Sequence, residues 1–493
     1  MQIQIYHKDY ATTFPVVVYP LLKGAHLATQ LDQIAAKYEL DATLLKDDFH
    51  AEKKETWYLL KGQQRVYLMG LGSEAIFPSL LTTARSFFFK ERFRIPGNVW
   101  VDFRFCTQES SSPALLLEAF VNGCYLSTAD LGRFKKEKGA KERTFSNAAE
   151  LHFLVNDQTQ VLEMETAAAR GISIGETQSQ MMDLVNAPSN KKNPLDIGEL
   201  AHDSATKYGY TCMVLGKEQI QELGLEALLA VNQGSSHPPV FILLEYHSKL
   251  RTPKTVGLVG KGVTFDTGGL SIKAATNMHH MKSDMGGAAA VLGAVELAAK
   301  FQLPVNVIGI IPATDNSVDA AALKPSDVID SYSGKTIEII NTDAEGRLIL
   351  ADGLAYLLKN YKVDHILDLA TLTGSAIQTL GYHAACLFSN DDQLAEELHD
   401  LGMKYGERLW RLPLWKEYAE DLHSDVADLK NYSGRPISGA IGAAKFLEAF
   451  IEKHPSWAHL DIAGMAFKDS EYAIHKSATG FGIRLVLEYL KAI

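Results

Sequence analysis

Val256-Gly257-Leu258-Val259-Gly260-Lys261-Gly262-Val263-Thr264-Phe265-Asp266-Thr267-Gly268-Gly269-Leu270-Ser271-Ile272-Lys273 begins as a short apolar run and ends as a glycine-rich loop carrying two lysines and an aspartate. A run this short, broken by glycine, reads as a buried strand. The same pattern recurs around it. Residues 240–246, 305–311, 336–340 and 365–369 are further short apolar runs, and helical stretches such as 286–301 and 346–358 lie between several of them. This alternation predicts an α/β domain with a central mixed, largely parallel sheet flanked by helices. In such sheets ligands bind beyond the carboxyl ends of the strands, where the glycine-rich loop lies.

A chain of 493 residues exceeds what one core usually serves. Residues 16–18, 65–71 and 98–105 read as strands, while 79–90 and 114–120 read as helices. Segment 135–144 is rich in charge and reads as an exposed loop. Residues 164–185 have helix formers throughout and run into the breaker cluster Asn186-Ala187-Pro188-Ser189-Asn190. The expected organisation is two α/β domains: a smaller N-terminal one at 1–160, a connecting helix at 161–185, and the larger C-terminal one at 186–493.

Composition narrows the function classes. Nearly half the residues are hydrophobic and the charges are well mixed, as in ordinary globular proteins. No apolar run approaches the ~20 residues of a membrane span, and the first ten residues are polar where a secretory signal would have its apolar core. A cytoplasmic protein without membrane partners is expected. The formal net charge of −11 argues against nucleic acid as a partner. Cys106, Cys124, Cys212 and Cys386 are scattered, which predicts buried free thiols rather than a zinc ribbon or disulfide framework. Gly70-Leu71-Gly72-Ser73-Glu74-Ala75 matches a dinucleotide fingerprint but lacks the ribose-binding acid downstream. Gly171-Ile172-Ser173-Ile174-Gly175 matches a nucleophile elbow but lies in a predicted helix. His279 and His280 are adjacent, a spacing that rarely lets both meet one metal, and read as surface or packing residues.

Three segments concentrate charge in glycine-rich turns. The first is the loop quoted above. The second is Met281-Lys282-Ser283-Asp284-Met285-Gly286-Gly287-Ala288-Ala289-Ala290, where Asp284 precedes a helix. The third is Asn341-Thr342-Asp343-Ala344-Glu345-Gly346-Arg347-Leu348, where Asp343 and Glu345 would share one side of an extended backbone. Asp284 alone could be a helix cap. Capping explains too little of four acids, two lysines and an arginine. Oxygen ligands with few histidines suit Mg²⁺, Mn²⁺ or Zn²⁺, and two bridged dications need about this many acids.

On these residues the chain resembles the leucine aminopeptidase (cytosol aminopeptidase) family of two-metal aminopeptidases. The resemblance covers most of 180–493. It includes Val185-Asn186-Ala187-Pro188, Asp368-Leu369-Ala370-Thr371-Leu372-Thr373-Gly374 and residues 457–464. It implies that Asp266 and Glu345 bridge two divalent ions, that Asp343 completes one site with its own carbonyl, and that Lys261 and Asp284 complete the other. The ions would be Mn²⁺ or Zn²⁺, with Mg²⁺ and Co²⁺ as the other candidates. Lys273 would sit over the substrate carbonyl, and Arg347 would hold a bicarbonate ion as general base. Met281, Thr371 and Leu372 fall where the family lines its substrate pocket. The implied activity is release of N-terminal residues from peptides by a homohexamer, and the C-terminal domain is then the catalytic one. Ala274 departs from a frequent proline, and Thr314-Asp315-Asn316 from a usual glutamate-asparagine pair; neither change touches a proposed ligand.

A lysine ligates a metal only when unprotonated, and two nearby dications disfavour its ammonium form. A lysine farther away stays charged and can stabilise an oxyanion. Two rivals remain in other classes. One is a DNA-binding role, in addition to or instead of peptidase activity, since some relatives double as DNA-binding factors. It would need a basic stripe, and the one dense stretch, residues 133–138, is interrupted by Glu137. The other is a two-metal phosphoesterase using the same acids.

Overall fold

The β-branched and aromatic runs of the N-terminal part assemble into one sheet. In the computed structural model, which describes residues 1–8, 14–106, 112–136 and 143–493, its strands are β1 (Gln2–Tyr6), β2 (Val16–Leu21), β3 (Thr56–Lys61), β4 (Gln64–Gly70), β5 (Asn98–Asp102) and β6 (Glu150–Leu154). Their order is β1-β6-β5-β2-β4-β3, and only the β3–β4 hairpin is antiparallel. The strand expected over 98–105 stops at Asp102, and Phe103–Cys106 curls into a 3₁₀ turn. In that turn Arg104 folds back onto the buried Asp102 with paired hydrogen bonds of 2.8 and 2.7 Å, a bidentate pair. Residues 137–142 of the charged 135–144 segment, and with them part of the basic 133–138 stretch, lie outside the described residues.

The chain divides into two compact units, Met1–Ser179 and Gln180–Ile493. The helix Val161–Asn186 contains Ser173, so the Gly171–Gly175 pattern sits on a helix, not after a strand. All four cysteines are free; Cys106, Cys124 and Cys386 are buried and Cys212 partly so. Among the described residues no helix is long and apolar enough to cross a membrane.

The second unit is built on β7 (Thr211–Leu215), β8 (Val240–Tyr246), β9 (Thr255–Gly260), β10 (Gly262–Asp266), β11 (Asn306–Asn316), β12 (Val328–Ile329), β13 (Ile337–Glu338), β14 (His365–Ala370), β15 (Ala385–Ser389), β16 (Leu409–Arg411), β17 (Leu429–Lys430) and β18 (Trp457–Asp461). The main sheet runs β16-β15-β18-β14-β9-β11-β8-β7, with β10 paired to β11. Its middle, β18-β14-β9-β11-β10, is parallel, and the antiparallel pairs flank it. This is the mixed, largely parallel α/β sheet expected from the alternation. The apolar run 336–340 does not join it. Only Ile337–Glu338 is strand, in a small sheet with β12 and β17. There the Asn431 side chain accepts the Ile340 N–H at 2.8 Å, where a neighbouring strand would otherwise do so.

Helices cover both faces of the main sheet, and strand alternation shows how. Gly257 lies under Leu357, and Val259 against Gly353, of helix Glu345–Asn360. Gly260, one residue out of phase, lies under Gly287 and Val291 of helix Gly286–Lys300. That second helix approaches so closely that a Cβ on Gly287 would stand 1.9 Å from the Leu369 carbonyl oxygen. Gly287→Ala is therefore expected to destabilise the unit by ~1–3 kcal/mol through overpacking, read as a lower thermal midpoint. Gly374→Ala, which meets nothing within 4 Å, should leave the midpoint nearly unchanged. Equal midpoints for both variants would contradict the close approach.

Candidate metal centre

The parallel strands end side by side, and their carboxyl ends carry the charged residues. Lys261 follows β9, Asp266 ends β10, Asn316 ends β11, Thr371 follows β14 and Asp461 ends β18. Asp284 terminates the 3₁₀ turn Met278–Ser283, and Glu345 opens the helix Glu345–Asn360. Asp343 does not lie in extended backbone with Glu345, as the two-residue spacing suggested. It sits in a turn, held by its own N–H on Asn341 Oδ1 at 2.7 Å, and the chain enters the helix directly after it. The side chains converge nonetheless: oxygens of Asp266, Asp343 and Glu345 lie within 4.8 Å of one another.

Two lysines stitch these acids together. Lys261, 2% exposed, ion-pairs with Asp284 Oδ2 at 2.6 Å and Glu345 Oε1 at 2.9 Å, and donates to the Thr371 carbonyl at 3.1 Å. Lys273 pairs with Asp266 Oδ2 at 2.7 Å and with Asp343. It therefore does not stand apart from the acids. Burial works against the Lys261 charge, but Asp284, Glu345 and Asp266 outweigh it and hold its pKa above the ordinary lysine value. The same contest, with Asp266 foremost among the acids, raises Lys273. For Glu345, burial is outweighed by Lys261 and Lys273, and its pKa falls. Asp284 and Asp343 are not so favoured: burial pushes them up to about 8 and about 6.

These shifts test the fit of a metal. Four acids share two ammonium groups, so the cluster carries more carboxylates than cations of its own. Asp284 Oδ2 and Asp343 Oδ1 lie against lysines yet accept no hydrogen bond of sound geometry. Buried carboxylate oxygens close to one another are what hard dications take as ligands. The donor set fits divalent metal.

Neutral residues around the cluster support it, Asn316 and Asn431 without a role assigned from the sequence. Asn316 donates one amide to Asp266 Oδ1 at 2.9 Å, the Thr342 carbonyl at 3.0 Å and Glu345 Oε2 at 3.5 Å. Asn431 accepts from Arg347 at 2.8 Å through its carbonyl, and its side chain donates to the Asn341 carbonyl at 2.7 Å. Arg347 is buried, which draws its pKa down to about 10, and its Nε has no partner. Thr371 donates to Asp284 Oδ1 at 2.7 Å. Met281 stands three residues before Asp284 in the same turn, partly buried, and Leu372 packs against the core below. The rings of His279 and His280 are 3.9 Å apart, and His280 rests on Phe467.

A buried cluster of acids and lysines beyond the ends of parallel strands belongs to the hydrolytic metalloenzymes in its chemistry. Comparison with known proteins specifies the class. The family described as "Cytosol aminopeptidase family, catalytic domain" matches residues 180–487. A probable cytosol aminopeptidase of Chlorobium limicola is 44% identical over 488 residues, 97% of this chain and 96% of that protein. One of Chlorobaculum tepidum is 49% identical over 379 residues, 77% of this chain and 75% of that one. The solved structure of the bottromycin maturation enzyme BotP in complex with Mn superposes with a TM-score of 0.85 at 31% identity, over 97% of this chain and 99% of that chain. The chain belongs to the cytosol aminopeptidase family, a family of metallo-aminopeptidases. Peptidase activity and divalent metal cofactors follow from that membership.

Gly346 explains how Lys261 reaches the acids. A Cβ there would stand 2.6 Å from Lys261 Cε and 2.8 Å from Nζ. Because the tip of Lys261 is pinned on three sides, Gly346→Ala should displace it. Metal affinity is expected to fall by ~10–100-fold, as for loss of a group that orients a ligand. Competition against a chelating dye measures this, with circular dichroism as the control on folding; unaltered affinity would show that the narrow passage does not hold Lys261.

Proposed function

We propose that the protein removes N-terminal residues from peptides, using a water activated between two dications held by Lys261, Asp266, Asp284, Asp343 and Glu345. The observation that carries this reading is the placement of Glu345. One of its oxygens meets Lys261, beside Asp284, and the residue also belongs to the trio with Asp266 and Asp343. A residue so placed serves both halves of the cluster, which supports Glu345 and Asp266 as bridges, Asp343 with its own carbonyl as the end of one site, and Lys261 with Asp284 as the end of the other.

Bound dications would supply the activated water, polarise the scissile carbonyl and take the substrate's free α-amine as a ligand. The chain's own residues do the rest. Lys261 would hold a dication as a neutral amine, its proton passing to solvent as the ion binds; its burial already opposes the charge, and only the acids retain it. Lys273 has a side chain 24% exposed against 2% for Lys261, so it faces the open side of the cluster and keeps its charge for the developing oxyanion. Arg347 would hold bicarbonate as general base; its buried guanidinium with a spare Nε supports an anion there. Met281, Thr371 and Leu372 would line the pocket for the N-terminal side chain. The same reading carries a cytoplasmic homohexamer loaded with Mn²⁺ or Zn²⁺, with Mg²⁺ and Co²⁺ as the alternatives.

Exhaustive chelation should abolish cleavage of a leucyl peptide, and Mn²⁺ or Zn²⁺ should restore it. The N-acetylated peptide should be cut slower by orders of magnitude. Full activity without metal, or equal rates on the two peptides, would sink the reading.

The two lysines should separate under mutation. Lys273→Ala is expected to keep its metal and lose ~10²–10³-fold in kcat, the usual cost of one oxyanion donor. Lys261→Ala should lose metal affinity and recover part of its rate in excess metal. Metal analysis and steady-state kinetics on both decide the roles; the opposite pattern would reverse them.

A further inference from the structure

Asp461 is a fully buried carboxylate at the end of β18, and none of the roles above uses it. Its Oδ1 accepts the N–H of Leu372 at 3.1 Å and of Ala463 at 3.2 Å, and its Oδ2 accepts the Thr373 hydroxyl at 2.6 Å. The same Thr373 oxygen accepts the Ala376 N–H at 3.0 Å, capping the helix Gly374–Leu380. With its acceptor role committed to the helix, the hydroxyl proton points at Asp461. Residues 371–373 are thus gripped at two consecutive positions by one side chain.

What that loop does next reaches the metal centre. Thr371 gives its hydroxyl proton to Asp284 Oδ1 at 2.7 Å, and its carbonyl receives Lys261 Nζ at 3.1 Å. Both ends of the proposed Lys261–Asp284 site therefore lean on Thr371, and the two residues after Thr371 lean on Asp461. Asp461 is itself fixed by strand register. Ala370 pairs with Asp461, and Asp368 with His459. Below it, buried Asp368 accepts Trp457 Nε1 at 2.7 Å and bonds His459 Nδ1 at 2.5 Å. These cross-strand bonds between β14 and β18 hold Asp461 at the point where the loop leaves the sheet.

We propose that Asp461 is a positioning residue of the metal centre: through Leu372 and Thr373 it sets Thr371, and Thr371 sets Asp284 and Lys261. The inference rests on the two-dication reading above. Groups that orient a metal ligand from behind typically account for 10–100-fold in metal affinity when removed.

The test uses the full chain stripped of metal and titrated with Mn²⁺ against a chelating dye, with the thermal midpoint of the metal-free protein and kinetics on leucyl-p-nitroanilide alongside. Asp461→Asn and Thr373→Val should each weaken one of two Mn²⁺ ions ~10–100-fold while the other ion binds as in the parent. Thr373→Ser, which keeps the hydroxyl, should restore parental affinity. Asp461→Asn added to Asp284→Asn should weaken that ion little further, because both act on one site. Thr373→Val leaves the carboxylate in place and carries the test by itself if Asp461→Asn does not fold. If both variants bind two ions with parental affinity and only the midpoint shifts, Asp461 serves the fold alone and the inference falls. Equal weakening of both ions would overturn it too. A parent chain that binds two Mn²⁺ ions and cleaves the substrate while the variants match it rejects this inference only. A parent chain that binds no Mn²⁺ rejects the two-dication reading and this inference with it.

Discussion

The four carboxylates gathered around Lys261 and Lys273 repel one another, and the interior that surrounds them strengthens the repulsion. Lys261 and Lys273 are what make the arrangement tolerable. Each spans two acids that come from different chain segments, so each ion pair is also a tie between loops. Lys261 joins the turn ending at Asp284 to the helix opening with Glu345. Lys273 joins the end of β10 to the turn at Asp343. Glu345 gains further from its place in the first turn of a helix, where the backbone dipole favours negative charge. The rest of the site is arranged around keeping these ties short.

Neutral groups then fix what the charges only attract. Coulombic attraction has little directionality, whereas amide hydrogen bonds do. Asn316 lays one amide against Asp266, Thr342 and Glu345, so the two proposed bridges cannot turn independently. Asn431 clamps the strand end before Asp343 and the guanidinium after Glu345. Gly268 serves the same end by a different route. Its φ of 86° suits glycine, and a Cβ there would stand 2.9 Å from Asp343 Oδ1.

How much of this was legible beforehand follows from what periodicity and motifs can carry. The runs at β8, β9 and β14 announce buried strands because apolar residues dominate them, and the breaks at Gly260 and Gly262 mark where the loop begins. The charged loop, turn and helix start that hold Lys261, Asp266, Asp284, Asp343 and Glu345 were legible as dense chemistry. Their convergence was not: Asp343 and Glu345 meet through a turn into a helix, and an extended reading gives the right neighbours by the wrong backbone. Run 336–340 looks like a core strand by composition, but a side-chain amide from 91 residues downstream takes its N–H, and no local pattern encodes that partner. Asn316 and Asp461 fall within 314–316 and 457–464, and no local pattern gives them or Asn431 a function. Only the register of distant strands gives them a function.

The two units also show why one architecture carries the chemistry and the other does not. Both contain parallel strands whose carboxyl ends lie side by side, the usual place for ligands. In the first unit those ends carry Tyr6, Leu21, Gly70, Asp102 and Leu154. The single acid among them is neutralised in place by Arg104, two residues along its own chain. Such an acid has no charge left to share with a neighbouring strand. In the second unit the acids at or beyond the strand ends are paired with lysines that each tie two chain segments together, and oxygens of Asp266, Asp343 and Glu345 lie within 4.8 Å of one another. A countercharge shared between chain segments, and not confined to one strand end, turns a sheet end into a site. Function here follows from the residues placed on the fold and not from the fold itself.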